Sequence, residues 1–422
     1  MAARVEAYIE RHSACLKQLL AELVRIPTVN PPGQNYLPFV RAVQPQLRSL
    51  GMKTEIVRVP AAYARRFIAN ADEYPRASLI GRLDAGADRT LHFNCHYDVV
   101  PAAGNWRYGP FEPKERRGWI YGRGSSDMKG AIAAVCFALR ALRDLNIRPR
   151  MNVEVSLTPD EETGGDLGAG HVVRQGHVKA DYAIVCEGGS GREVGCGHNG
   201  VIWLEAAVAG KAAHASSPQD GVNAFEKMAA LVMHLQSLKT GFGRRAFRAP
   251  NGKKMHPTLN IGGVFAVGEG AKVNTVPALA TFTMDRRVTP GERLSDAERE
   301  LRAAVRAAGK QVRKLRVSLS RLLAIDPCHV DPAGELPRAF AAAVREVRGG
   351  RIGFSVSRGF TDMHFFVKDA GIPTIGYGPG GRHAHAIDEA VRVRDLVACA
   401  KVYARFMAEW PCQALPSPVR RQ

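Results

Sequence analysis

No apolar run in the 422 residues approaches the ~20 that a membrane-spanning helix needs, so no membrane partner is expected. No apolar leader with a small-residue cleavage site opens the chain. Met1 to Leu23 instead mixes charges with apolar residues at helical spacing, and a cytoplasmic location is expected. The eight cysteines (Cys15, Cys95, Cys136, Cys186, Cys196, Cys328, Cys399 and Cys412) contain no Cys-x-x-Cys. A cysteine-based zinc finger or thioredoxin-type motif is therefore unsupported, and the thiols are read as reduced. Internal repeats and low-complexity segments are absent. Acids are in short supply, 40 against 59 Lys and Arg, which leaves a net charge of +19. The stretch from Lys239 to Lys254 is rich in Arg and Lys and has no acid at all. No nucleic-acid motif accompanies this charge, so no nucleic-acid partner is expected. It is read as a solvated surface, with steering of an anionic small molecule as the functional alternative.

What is present is ordinary globular material, 45% hydrophobic and 23% charged, which excludes a disordered or collagen-like chain. The length suggests two or three folding units. Periodicity predicts helices over about Arg4–Val24 and Leu37–Ser49. Short apolar or alternating runs predict strands at Thr54–Val59, Ser78–Leu83, Thr90–Cys95, Asn152–Leu157 and Tyr182–Cys186. Helical patterns at Met128–Leu145 and about Asp166–Gln175 lie between the last three. Strands alternating with helices imply an α/β fold with a largely parallel sheet covered on both faces. From about Gly195 the pattern changes: strand Val201–Val208, helix Ala224–Leu238, strands Thr258–Val264 and Ala278–Asp285, then helix Leu294–Ala308. This reads as a small inserted α+β domain with one sheet face uncovered. After about Val312 the first pattern returns, with helix Leu336–Val347, strand Pro373–Tyr377 and closing helix Val391–Trp410. The domains are accordingly 1–196 with 312–422, and an insert of 197–311. The tail Pro411–Gln422 is expected to fray.

Four clusters of reactive side chains fall at the ends of predicted strands or in the loops after them, the edge where open α/β sheets bind ligands. They are His96-Tyr-Asp98; the glycine-rich turn Gly122-Arg-Gly-Ser-Ser-Asp127-Met-Lys-Gly130; Asp160-Glu161-Glu162; and Cys186-Glu187-Gly-Gly. Far downstream comes Gly381-Arg-His-Ala-His385-Ala-Ile-Asp-Glu389. Singly, each has a bland reading as a capping pair, a solvated acid or a simple turn. Together they supply two His and at least four carboxylates, a ligand set that suits zinc or a similar first-row ion. Two ions sharing one carboxylate need about five such side chains, which leaves one of the adjacent Glu161 and Glu162 free to act as a base.

In this order the motifs resemble a family of dinuclear zinc deacylases and peptidases that includes acetylornithine deacetylase, succinyl-diaminopimelate desuccinylase, glutamate carboxypeptidase and aminoacylase. The resemblance runs through His96-Tyr-Asp98-Val-Val-Pro101, Gly122 to Gly130, Glu161-Glu162, Glu187 and His385 to Glu389. In the insert it continues through Gly210-Lys-Ala-Ala-His214, Asn260-Ile-Gly-Gly263, Asn274-Thr-Val-Pro277 and Asp285-Arg-Arg287. It implies a zinc-peptidase-like catalytic domain with a mixed, mainly parallel sheet, and an inserted dimerisation or lid domain. It implies two divalent metal ions, zinc in the first place and cobalt or manganese otherwise. His96 and Glu187 would hold one ion, Glu162 and His385 the other, with Asp127 between them. Two cations lower the pKa of a shared water so that it becomes a nucleophile. Glu161 would take its proton and pass it to the leaving amine. Asp98 would orient His96. His214 would reach into the site of the partner in a homodimer and stabilise the tetrahedral oxyanion. Arg287 and Asn274 match positions that grip a substrate carboxylate, and Thr361, in Gly359-Phe-Thr-Asp362, is a further candidate contact. The implied reaction is hydrolysis of the amide of an N-acyl amino acid or related small anion. Carboxypeptidase, dipeptidase and carbamoyl-amide hydrolase activities are alternatives within the family.

Three features depart from the family pattern: bulky Tyr97 between His and Asp, Asp388 where Asn is expected, and a long basic loop over Thr240–Pro257. They bear on the substrate rather than on the metals. Outside this class, Ser126-Asp-Met-Lys129 with Lys239-Thr-Gly241 fits the short motifs of a serine acyl-enzyme. A relative that keeps the fold as a binding module without catalysis is the non-enzyme reading; such a relative should lack a ligand or the base.

Overall fold

A computed structural model describes residues 1–188 and 191–411. Of the expected frayed tail, all but Pro411 lies outside the described residues, as does Cys412. The chain forms two compact units. The first is Met1–Cys196, Val330–Ser355 and the segment from Thr361 onward; the second is Gly197–His329 with Val356–Phe360.

In the first unit the strands lie in the order Lys53–Arg58, Ala77–Leu83, Asn152–Thr158, Thr90–His96, Tyr182–Val185, Thr374–Gly376 and then Glu193–His198. The central four strands are mutually parallel. Antiparallel neighbours flank them on either side. Thr90–His96 shows why this sequence makes a two-layered wall. Leu91, Phe93 and Cys95 point into a large apolar core shared with helices Ala2–Arg11, Ser13–Val24, Lys129–Asp144, Glu335–Arg348 and Val393–Glu409. Burying each such side chain contributes roughly 1.5–3 kcal/mol. The alternate residues His92, Asn94 and His96 face the other way. There His92 meets Glu154 at 2.9 Å and Ser156 at 2.8 Å, and Asn94 donates to Ser156 and Thr158, each at 3.1 Å. The strand therefore ends with an imidazole on a buried polar face.

Several elements differ from the expectation. The single helix predicted over Arg4–Val24 is two, divided at His12, whose backbone (φ −103°, ψ 18°) leaves the helical region. Three short strands, Lys114–Arg116, Trp119–Tyr121 and Ala390–Arg392, form a small antiparallel sheet. The last of them takes the first residues of the predicted closing helix, which begins at Val393.

The second unit is a four-stranded antiparallel sheet in the order Thr258–Val267, Leu279–Val288, Gly200–Ala209 and Arg316–Ile325. Helices Ala224–Phe242 and Leu294–Gln311 cover one face, over Ile202, Leu204, Ala206, Phe282 and Met284. Strand Arg316–Ile325 corrects the domain boundary drawn at 312. It pairs with Gly200–Ala209, so the unit continues to His329. The basic loop is a small hairpin, Phe247–Arg248 against Lys254–Met255, seated with Ala249 and Met255 on Val356. Among the described residues, no helix is long and apolar enough to cross a membrane.

Candidate metal centre

The first unit gathers six of the expected residues at one edge of its sheet. His96 is the last residue of its strand, Glu161 and Glu162 open a single helical turn after Asn152–Thr158, and Glu187 follows Tyr182–Val185. Asp127 precedes helix Lys129–Asp144, and His385 lies in the turn before Ala390–Arg392 with a left-handed backbone, φ 62°.

The arrangement turns on Asp127. Its Oδ1 lies 3.2 Å from His96 Nε2, and its Oδ2 lies 3.2 Å from His385 Nε2. His385 Nε2 is also 2.9 Å from Glu162 Oε2. Two groups result, His96 with Glu161 and Glu187, and Asp127 with Glu162 and His385. Within each, one candidate ligand atom per residue lies within 4.8 Å of the others. Glu161 thus sits beside His96, its Oε2 at 4.0 Å from Nε2. The far nitrogen of His96, Nδ1, is 3.1 Å from the Asp98 carbonyl and 3.4 Å from its carboxylate. Asp98 also accepts the backbone N–H groups of Glu161 and Glu162, each at 3.2 Å. The Asp98 carboxylate therefore ties down the acidic turn, while its main-chain carbonyl is the nearer acceptor for His96 Nδ1.

The electrostatics of this cluster call for cations. Burial raises the Glu161 and Glu187 carboxyls well above the ordinary range, and neighbouring carboxylates add to it: Glu187 beside Glu161, Asp127 beside Glu187. Burial also pushes Asp127 up, but hydrogen bonds with His385 and His96 outweigh it and hold its carboxyl low. The same hydrogen bonds, to Asp127 and Glu162, lift His385 to about 10. Glu187 Oε2 and Asp362 Oδ2 are buried without a hydrogen-bond partner among the described residues. A crowd of carboxylates with two imidazoles and orphaned oxygens fits two divalent cations, for which oxygen and nitrogen donors are the natural ligands.

Residues beyond the expected set complete the cluster. Asp362, which follows Thr361, is 2% exposed, and burial pushes its carboxyl up to about 8. In the sequence it stands out only as the end of Gly359-Phe-Thr-Asp362. Glu389 served there as a spacing marker, yet it organises the glycine-rich turn. It accepts the N–H groups of Gly124, Ser126 and Asp127 at 2.9, 2.9 and 3.0 Å, and pairs with Arg123 at 2.7 Å. Thr361 uses its hydroxyl to accept the Met363 N–H at 3.2 Å.

The other three expected residues belong to the second unit. His214 is exposed, its Nδ1 2.7 Å from Ser216 Oγ. Its two-residue strand pairs with Thr275–Val276, which brings Asn274 alongside through a 3.0 Å bond from Ala215 N–H to the Asn274 carbonyl. Arg287, on strand Leu279–Val288, pairs with Asp285 at 2.8 Å. The preceding Arg286 is fully buried on the helix-covered side, over Phe242 and 2.6 Å from Glu292.

The serine acyl-enzyme reading loses its base. Lys129 is fully buried and donates to the main-chain carbonyls of Leu23 and Ile26 at 3.2 and 2.7 Å. Lys239-Thr-Gly241 lies within helix Ala224–Phe242, not on a strand.

Comparison with known proteins bears on this centre. The chain is 29% identical to the N-formyl-4-amino-5-aminomethyl-2-methylpyrimidine deformylase of Bacillus subtilis (strain 168), over 95% of its own length and 96% of that protein's. It is also 29% identical to succinyl-diaminopimelate desuccinylase 2 of Ruegeria sp. (strain TM1040), with the same coverage of 95% and 96%. Its fold matches human carnosine dipeptidase 1 with a TM-score of 0.75 at 18% identity, covering 97% of this chain and 99% of that one. With the sequence profile of peptidase family M20/M25/M40 matching residues 92–409, the chain belongs to that family.

Proposed function

We propose that this chain is a metal-dependent hydrolase that cleaves the amide bond of an N-acyl amino acid or a related small carboxylate. The observation that carries the reading is the placement of Asp127, whose two carboxylate oxygens face imidazoles of two separate ligand groups. In this reading His96 and Glu187 hold one cation, Glu162 and His385 the other, and Asp127 lies between. Zinc is proposed first, with cobalt and manganese as alternatives. Such ions, when bound, polarise a carbonyl oxygen and make a water acidic. The chain's own residues do the rest. Asp98 keeps the His96 ring oriented through Nδ1. Glu161, 5% exposed, is sheltered from bulk water, which supports its proposed role of taking a proton from the attacking water and delivering it to the leaving amine. Arg287, Asn274 and Thr361 are the proposed grips on the substrate carboxylate, since a guanidinium binds a carboxylate through paired hydrogen bonds. The proposal extends to a homodimer in which His214 serves the partner's site, and to a cytoplasmic location, tested by sedimentation and by cell fractionation. The names of the relatives, a deformylase and a desuccinylase, favour removal of a small acyl group.

A hydrolysis screen by mass spectrometry tests this. Protein supplied with Zn²⁺ meets N-acetyl, N-succinyl, N-formyl, N-carbamoyl and dipeptide substrates, with Glu161→Ala as the blank. Turnover of one acyl class is expected, reduced about 10²–10⁴-fold in Glu161→Ala with metal content retained. Cleavage of dipeptides or carbamoyl amides alone would move the substrate elsewhere within the family. Full activity in Glu161→Ala would overturn the role of Glu161.

A further inference from the structure

We propose that Arg76 is a positioning residue for Glu161: through Asp160, its guanidinium sets the direction in which the turn at 160–163 presents that carboxylate. The inference rests on Glu161 as the proton acceptor, while its geometric part stands without it. Asp160 has a left-handed backbone, φ 66°, a conformation that side chains with a Cβ rarely adopt and that Asp tolerates best after Asn and Gly. That residue stands between strand Asn152–Thr158 and the acidic pair. It lets the carbonyl of Asp160 accept the N–H groups of Thr163 at 3.1 Å and Gly165 at 2.7 Å, while Glu161 and Glu162 turn theirs to Asp98.

What holds Asp160 there is a closed set of partners. Oδ1 accepts the Tyr36 hydroxyl at 2.8 Å and Asn30 Nδ2 at 3.2 Å; Oδ2 accepts Arg76 Nε at 2.8 Å. Asn30 Nδ2 also lies 3.0 Å from Asp98 Oδ2 and 3.0 Å from Thr163 Oγ1, within reach of both anchors of the turn. Arg76 in turn is fixed from several sides. Its Nη1 donates to the Tyr74 carbonyl at 2.6 Å, its guanidinium lies 5.3 Å from the centre of the Tyr36 ring, and it is 2% exposed. A Cβ at Gly33, where φ is +106°, would fall 2.6 Å from Nη1, so the backbone closes over the guanidinium. A buried, fully oriented arginine whose one acidic partner adjoins the proposed base has a directional task that a flexible ammonium would not perform. Misplacement of a reacting group by ~1 Å costs about 10²-fold in rate.

Arg76→Met alone strands a buried carboxylate, so the test is the double variant Arg76→Met with Asp160→Asn, which removes both charges together. Asn keeps an acceptor for Tyr36 and tolerates the left-handed backbone. The expected result is a melting temperature and metal content close to wild type, KM within about threefold, and kcat lowered about 10²-fold. Hydrogen exchange at the amides of Glu161 and Glu162 should quicken while the strand amides keep their protection. A purely structural pair predicts the opposite, with kcat returning together with stability, and that result overturns the proposal. Should the wild type hydrolyse no amide in the screen, the function reading fails but the exchange measurement still decides. Unchanged protection at Glu161 and Glu162 in the double variant then overturns the positioning role.

Discussion

A single imidazole behind the acidic cluster illustrates how burial sets chemistry at the scale of one residue. His364 is 7% exposed, its Nδ1 lies 2.8 Å from the Thr361 carbonyl, and its ring is 3.8 Å from that of Phe365. Burial, helped by the charge of Arg174, lowers its pKa from 6.5 to about 4. The unfolded chain takes up a proton below about 6.5 that the folded chain refuses until about 4. The contribution to stability is thus whole above 6.5 and is lost as pH falls through about 4, on the order of 3 kcal/mol at most. Urea unfolding at a series of pH values should show this decline. His364→Asn, which keeps a donor for Thr361, should flatten it by up to one proton. The sequence signals divide at this same scale. His96, Glu161, Glu162 and Glu187 stand out in the sequence because they end or follow strand-like runs, whereas Asp127 and His385 stand out only through the motifs that carry the family resemblance. Asp362 does not, since no strand runs directly into it, the nearest one ending at Ser357, and it is placed only through three-dimensional packing against the buried polar face. Arg76 was invisible for a different reason: nothing in a strand's first neighbour distinguishes an arginine turned inward from one in solvent.

Among elements, the glycine-rich turn shows how a loop becomes rigid without regular structure. Glu389 accepts three of its N–H groups and pairs with Arg123, and Ala390–Arg392 holds Glu389 in place by pairing with Trp119–Tyr121. Glu389→Gln places an amide N–H₂ among donors and leaves Arg123, 2% exposed, without its counter-charge. It is expected to destabilise the fold by about 3 kcal/mol, read from the urea midpoint, and to weaken metal binding at Asp127, read by titration of the purified protein. A Glu389→Gln protein with wild-type stability and metal affinity would show that the turn holds itself. The same scale explains where periodicity misled. The break at His12 interrupts a continuous helical pattern, because a local turn costs the apolar spacing nothing. Strand Arg316–Ile325 escaped because it is an edge, with serines and arginines between its apolar residues, and an edge has only one neighbour to satisfy. The three-residue strands around Trp119 are shorter than any periodic signal.

For the molecule as a whole, the second unit presents an open strand. Thr258–Val267 is the other edge of that sheet, and along it Val264, Phe265 and Val267 are 65%, 72% and 50% exposed. An unpaired, apolar edge strand is a template for another chain, which suits the proposed homodimer. If the proposed dimer forms through this edge, Phe265→Lys should yield a monomer in sedimentation velocity without loss of metal; a dimer that persists would place the interface elsewhere. The two-unit layout was legible from the change in strand and helix rhythm near Gly195, whereas its far end was not, for the reason given by the edge strand. Within this sheet the adjacent arginines act as a parity check. Arg286 is locked beneath Phe242 with Glu292 and Glu300, while Arg287 stands on the opposite face with Asp285. A slip of one residue in strand Leu279–Val288 would exchange them and drive Asp285 under the helices. Side by side in the sequence they look redundant; in the sheet, each arginine is what makes the other's position unambiguous.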